Sequence, residues 1–316
     1  MRIVSVLDTT VTSYNLGNEI IMESILGIMD ELFPEDFLYR LPWEGKFSKV
    51  TQKYMRNSDF VFFGGTNSLS SHMLHYKQMG FRVRDLLRFD QLTLLGMGWW
   101  QYQDRPDWYS RTFLKRLLSS RKIHSVRDQY TKDMLSNIGV VNVANTCCPT
   151  TWGLTDDHCA KIPSTRSNSV MLTLTDYNRS RDLDSALLQM LTECYQEVFY
   201  WVQGVGDLEY IRSFRKFRNR IKIVPPKLKF YDEVLSSQDF DYIGTRLHAG
   251  IRAIQNHKRA LILGVDNRAA EISKDIGLNV IARHDLKGIK NFTDQDMVTQ
   301  LDVPFDEIAR WKGQFI

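Results

Sequence analysis

The sequence predicts an α/β protein built from two doubly wound domains that face a cleft. Three observations carry that expectation. Short apolar runs of strand length alternate with longer segments of helical spacing. The alternation stops at a polar stretch near the middle of the chain and then restarts. The length, 316 residues, suits about two domains of ordinary size. An apolar share of 43% and a charged share of 25% are those of a globular chain, which excludes wholesale disorder. A net charge of +4 is too small for a strongly basic nucleic-acid face, so no nucleic-acid partner is expected. No stretch approaches the ~18 consecutive apolar residues of a membrane span.

Taken in order, Ile3–Leu7 reads as a buried strand, cut short by Asp8, and not as a signal peptide. Asn18–Phe33 follows with apolar residues at Ile21, Ile25, Ile28 and Leu32, the period of a helix. Phe60–Phe63, Leu92–Leu95, Ile123–Val126 and Val140–Val143 repeat the strand signal, with helical patterning at Trp108–Leu118 and Gln129–Leu135. Such alternation predicts a parallel sheet covered on both faces. The second half gives strands at Val170–Leu174, Val198–Val202, Ile221–Val224, Phe240–Ile243, Leu261–Leu263 and Val280–Ile281, with a helix over Leu183–Glu197. The expected division is an N-terminal domain over 1–155, a linker over 156–168, a C-terminal domain over 169–304 and a last helix over 305–316. Four cysteines, two of them adjacent at Cys147 and Cys148, do not make a disulfide framework, and a reducing cytoplasm is the expected location.

Ligands of open α/β sheets bind at the carboxyl ends of the strands, so residues leaving strands there are the ones to weigh. In Asp241–Arg252 a strand ends near Gly244 and a helix begins close to His248. Arg246 and His248 thereby fall beside a helix N-terminus, which favours an anion. Arg127 follows the strand ending at Val126 and holds the same strand-exit place in the first half. Two arginines across a cleft suit a small ligand with both carboxylate and phosphate. The plainer reading gives each arginine a neighbouring carboxylate, Asp128 in the case of Arg127. Two glycine turns complete the first domain's upper edge: Asn15-Leu-Gly17 after the first strand, and Gly64-Gly65-Thr-Asn67 after a later one. Neither fits the dinucleotide fingerprint or the P-loop.

Together these segments resemble the polysaccharide pyruvyl transferases. The resemblance rests on Asn15-x-Gly17-Asn-Glu, the turn at Gly64-Gly65, Ser125-Val-Arg127-Asp-x-Tyr-Thr131, and Gly244-Thr-Arg246-Leu247-His248-Ala. Val265-Asp-Asn-Arg268 is similar to that family's Tyr-Asp-x-Lys segment. The resemblance implies two Rossmann-like domains of GT-B type. It implies transfer of a pyruvyl group from phosphoenolpyruvate to two hydroxyls of one sugar, in a glycan or lipid-linked precursor, with release of phosphate. It also implies no metal and no organic cofactor, and a donor site that includes Arg127, Arg246, Leu247 and His248, with Asn15, Gly17, Gly64, Gly65 and Asn67 at the glycine turns. The chain departs from the family's usual pattern at Thr66, at Gly98-Trp99-Trp100 and at Cys148-Pro-Thr150, which bear on the acceptor more than on the donor.

The proposed chemistry needs a general acid to protonate the methylene carbon of the donor, and a histidine titrating near neutrality suits it, here His248. The base for the sugar hydroxyls stays open between His72, His75 and the departing phosphate. Two rivals also stay open: a GT-B glycosyltransferase with a nucleotide-sugar donor, and a non-catalytic glycan-binding relative. Trp99, Trp100, Tyr102 and Trp108 offer aromatic faces to a sugar ring, with core packing as the alternative. His72 and His75 are spaced for one helical face, without a third metal ligand at fitting spacing. The basic run Arg212–Lys222 reads as a solvated helix face with Phe214 and Phe217 tucked inward. It leaves open a peripheral contact with anionic lipid or a diphosphate-linked acceptor at the inner face of the cell membrane.

Overall fold

The structure, a computed structural model, describes residues 1–43, 47–76, 78–79, 81 and 91–316. It divides into two compact units. The first comprises Met1–Ser13, Ile21–Trp152 and Val303–Ile316; the second comprises Tyr14–Ile20 and Gly153–Asp302.

The first unit carries β1 (Ile3–Asp8), α1 (Gly17–Leu32, of which Ile21 onward lies in this unit), β2 (Phe37–Pro42), α2 (Lys49–Asn57), β3 (Phe60–Gly64), β4 (Leu92–Leu95), α3 (Trp108–Leu117), β5 (His124–Val126), α4 (Gln129–Asn137) and β6 (Val143–Asn145). The strands run parallel in the order β2-β1-β3-β4, and β5 and β6 pair in parallel beside them. A bridge between Met97 and Val126, with Gly96 N donating to Ser125 Oγ at 2.7 Å, joins the two groups just past the end of β4. Period-two alternation sorts the strand residues between two cores. Val4, Val6 and Phe62 pack with Ile21, Ile25 and Met29 of α1, whereas Leu7, Val61 and Phe63 pack on the other face with Leu114 and Leu135.

The second unit carries α5 (Asp156–Cys159), β7 (Ser169–Thr173), α6 (Arg181–Cys194), β8 (Glu197–Trp201), α7 (Asp207–Arg212), β9 (Ile221–Val224), α8 (Leu228–Ser237), β10 (Asp241–Gly244), α9 (Leu247–Gln255), β11 (Arg259–Gly264), α10 (Asn267–Ile276), β12 (Val280–Ala282) and α11 (Leu286–Asp294). Its strands are all parallel in the order β12-β11-β10-β7-β8-β9, the doubly wound dinucleotide-fold order, with the switch point between β7 and β10. Both central strands are buried along their whole length, which is why they read as continuous apolar runs. The last helix, α12 (Phe305–Gly313), returns to the first unit, where Trp311 and Phe315 pack on Phe62.

Within the stretch 156–168, α5 is capped by Thr155 Oγ1, which accepts from His158 N. The basic run is not one helix: α7 ends at Arg212, and a single 3-10 turn at Arg215–Phe217 follows. Phe214 and Phe217 are buried as anticipated, and that anchoring holds the irregular segment in place. No helix among the described residues is long and apolar enough to cross a membrane.

Candidate active site

In the first unit the carboxyl edge is built from the exits of β3, β4 and β5. Gly65 stands at φ +73°, and a Cβ there would lie 1.8 Å from Ile21 Cγ2, so the turn after β3 admits only glycine where α1 passes over it. Asn67 follows that turn. Arg127 leaves β5 with its backbone N–H donating to Met97 O at 2.8 Å, and is 1% exposed. Asp128 caps α4, accepting from Thr131 N at 2.7 Å, and its other oxygen stands 3.7 Å from Arg127 Nε. That ion pair is too long for a hydrogen bond. Among the described residues, Arg127 Nε and Nη2 and Asn67 Oδ1 are buried without a hydrogen-bond partner. Two of these atoms converge on one point: a Cβ on Gly98 would lie 2.1 Å from Arg127 Nη2 and 2.2 Å from Asn67 Oδ1. A buried guanidinium with idle donors is costly unless an anion completes it. Gly98 is the residue that leaves the room.

The second unit builds a different arrangement around its switch point. Arg246 is the N-cap residue of α9, 4% exposed, and its Nη2 donates to Asp207 Oδ1 at 2.5 Å and to Asp176 Oδ1 at 3.0 Å. Burial by itself would depress the guanidinium, but the Asp207 and Asp176 carboxylates and the Tyr177 ring, 5.3 Å below it, leave it raised and charged. Asp207 is held in turn by Gln203 N and Gly204 N at 3.2 and 2.7 Å. The plainer reading of Arg246, a carboxylate partner, is therefore present. Among the described residues, however, its Nε is buried without a partner, as are Thr175 Oγ1, Gln203 Oε1 and Thr245 Oγ1. All four lie just past the carboxyl ends of β7, β8 and β10, which makes this edge a polar pocket floor. His248 is the second residue of α9 and is buried at 6% exposure. Leu247 precedes it and is buried too.

Asn15 and Gly17 belong to this second unit. Asn15 Oδ1 accepts from Gly17 N at 2.9 Å and from Gln203 Nε2 at 2.7 Å, and Asn15 forms a backbone bridge with Gly204. The turn thus packs against the loop that carries Asp207. Arg268 donates from Nη2 to Tyr177 Oη at 2.6 Å and pairs with Asp266, the cap of α10. A chain of polar contacts therefore runs from Asp266 through Tyr177 to Arg246. Asp176, Tyr177, Gln203 and Asp207 carry no recognised motif. The rule that singled out Arg246, a polar residue just past a strand, would have found them at the ends of β7 and β8.

The residues weighed for an acceptor separate. Trp99 is in the core, 1% exposed, with Nε1 donating to Gln103 Oε1 at 3.0 Å, so it presents no face to a sugar. Trp100 stacks at a tilt on Tyr76, 4.4 Å between ring centres. His72 and His75 lie in a turn and not on a helix, because Asp107 captures His72 Nδ1 at 3.2 Å while also capping α3. Among the described residues no three histidine, cysteine or acidic side chains are grouped to hold a metal.

The sequence profile of the polysaccharide pyruvyl transferases matches residues 15–267, most of the chain. The chain belongs to the polysaccharide pyruvyl transferase family. No curated protein matches this family member in sequence. Among solved structures it is similar to a UDP-N-acetylglucosamine 2-epimerase from Rickettsia bellii, at 13% identity and TM-score 0.56, over 99% of this chain and 94% of that one. It is also similar to MnaA from S. aureus in its UDP co-structure, at 12% identity and TM-score 0.52, over 93% and 89% of the two chains. A third is the UDP-GlcNAc 2-epimerase from Neisseria meningitidis bound to UDP-GlcNAc, at 11% identity and TM-score 0.50, over 99% and 100%. At such identities the likeness concerns the fold: two Rossmann-like units of GT-B type.

Proposed function

We propose that this pyruvyl transferase takes phosphoenolpyruvate as its donor and ketalises two hydroxyls of one sugar in a glycan or lipid-linked glycan. The observation that carries the reading is the buried Arg127 with idle Nε and Nη2 donors beside Asn67 and Gly98. A small dianionic or trianionic donor needs a desolvated, rigid cation of that kind. The family membership supplies the reaction class.

In this reading Arg127 and Arg246 are the donor's cationic partners, and Asn15, Gly17, Gly64, Gly65 and Asn67 shape the loops around them. Arg246 keeps Nε for the donor because Nη2 is engaged by Asp207 and Asp176. His248, at the first turn of α9, is the general acid. It places a proton on the methylene carbon, so that C2 becomes electrophilic and one sugar hydroxyl bonds to it. The second hydroxyl displaces phosphate from C2 and closes the ketal. Of the two hydroxyl protons, one restores His248 and the other leaves with phosphate, so the protons balance. Trp100 and His72, both near Tyr76 in the first unit, are the candidates for acceptor contact.

The test is phosphate release from phosphoenolpyruvate against a panel of hexopyranosides with paired free hydroxyls, with products examined by mass spectrometry. Release should depend on one class of acceptor and yield a ketal-bound pyruvate, and His248→Ala should lower it by at least about 100-fold, the usual worth of a general acid. Undiminished release in that variant would remove His248 from the role. Turnover of a nucleotide sugar, with none of phosphoenolpyruvate, would overturn the reading.

A further inference from the structure

The segment Arg212–Lys222 holds six cations, Arg212, Arg215, Lys216, Arg218, Arg220 and Lys222, and no acid. The whole chain has a surplus of only +4, so the remainder has two more acids than bases and the positive charge is concentrated here. Phe214 and Phe217 are buried in the core of the second unit, beside Leu187, Leu191 and Tyr210, and pin the segment at two points. All six cationic residues between and beyond those anchors are exposed. Three have neighbours: Lys216 donates to Gln189 Oε1 at 2.7 Å, Arg220 to Thr192 O at 2.6 Å, and Lys222 pairs with Glu197. Arg212, Arg215 and Arg218 make no ion pair among the described residues.

An open groove of about 630 Å³ lies against this segment. Arg181 and Asp182 from the start of α6 form one wall, and Ser213, Arg215, Lys216 and Phe217 form the other. Arg181 is fixed there by donating to Ser213 Oγ at 3.2 Å and Ser213 O at 3.1 Å. Among the described residues Asp182 is the one carboxylate on the groove, which carries Arg181, Arg215 and Lys216 against it; Glu209 of α7 and Glu193 of α6 lie outside the lining. The cations are strung along an exposed, irregular segment and do not converge on a point. That layout matches many fixed negative charges spread over a surface, and not one compact anion.

We propose that this groove and the basic segment form a docking surface for the anionic phospholipid headgroups of a bilayer. α7 is six residues long and joins Asp207, which holds Arg246, to Arg212, about 7.5 Å away along the axis. Docking there sets the polar edge of the second unit close to the membrane plane, where a lipid-linked sugar would be presented. The inference is independent of the identity of the donor.

Cosedimentation of the full chain with phosphatidylcholine vesicles, with and without phosphatidylglycerol, tests it. Binding to the anionic vesicles should be at least about tenfold stronger than to the neutral ones and should weaken as salt rises. The variant R212E/R215E/R218E should lose at least about tenfold of that affinity while melting like the parent, because all three side chains are exposed. R111E/K115E/R116E, an equal charge change on the exposed side of α3 in the first unit, should bind as the parent does. Equal binding to both vesicle types, equal loss in the two triple variants, or retention on heparin without any vesicle binding would each overturn the proposal.

Discussion

Arg127 and Arg246 leave their sheets at comparable places and meet opposite surroundings. Among the described residues Arg127 has one distant carboxylate and idle donors, whereas Arg246 is gripped by two carboxylates and has one idle nitrogen. The motifs located both arginines, but the acids around Arg246 lie 39 and 70 residues away, in the loops after β8 and β7, and no local window reveals them. His124 makes the strongest residue-level prediction about stability. It is buried in β5, with Nδ1 accepting from Leu94 N at 3.2 Å and Nε2 donating to Ser119 O at 2.9 Å. Burial pushes its pKa down to about 4, against only partial opposition from the Ser119 carbonyl. The folded value lies below that of the unfolded chain, near ~6.5, so the unfolded state takes up the proton first. Stability is thus intact above ~6.5 and falls by about 3 kcal/mol as pH drops towards 4. Urea melts across that window should show a shallower fall for His124→Gln than for the parent; parallel curves would refute the assignment.

At the scale of elements, what the sequence reveals depends on burial. β7 and β10 are buried along their full length and stand out as apolar runs, whereas β2 exposes three of its six residues, buries only Leu41 fully and ends on Pro42, so no pattern announces it. α2 is similarly faint, with Thr51 and Met55 its buried residues. The exits of β5 and β10 were readable because a glycine or a capping acid follows the strand closely, with Asp128 opening α4 and Arg246 opening α9. His72 and His75 show the limit of spacing arguments: three residues apart suits a helix, but a hydrogen bond to Asp107, 35 positions on, sets a turn instead. The last helix carries an element-level prediction. Trp311 is fully buried against Phe62, Trp152 and Phe315, so Trp311→Ala should cost about 3–5 kcal/mol in chemical denaturation. A loss below about 1 kcal/mol would mean that α12 is not part of the first unit's core.

For the whole molecule, the four-stranded and six-stranded parallel sheets differ in strand order, each gathers polar groups at its carboxyl edge, and together they carry the GT-B-type likeness. Two of the structural neighbours hold UDP or UDP-GlcNAc, whereas the donor proposed for the present chain, smaller and more densely charged, rests on the idle Arg127 donors beside Gly98. The fold class was readable because alternation of buried strands and amphipathic helices is a property of the entire chain. The phosphoenolpyruvate donor was implied by the family resemblance alone, and no motif displays which buried donors, such as those of Arg127, stay unpaired after folding. Calorimetric titration with phosphoenolpyruvate, beside UDP, tests this most directly, using the parent, Arg127→Ala and Gly98→Ala. The last variant keeps every charged group, but its Cβ would fall 2.1 Å from Arg127 Nη2 and 2.2 Å from Asn67 Oδ1 and so must displace both. The account predicts saturable binding of phosphoenolpyruvate by the parent, weaker by at least about tenfold in both variants, and no comparable binding of UDP. Binding of UDP without phosphoenolpyruvate, or binding of phosphoenolpyruvate that neither substitution disturbs, would contradict it.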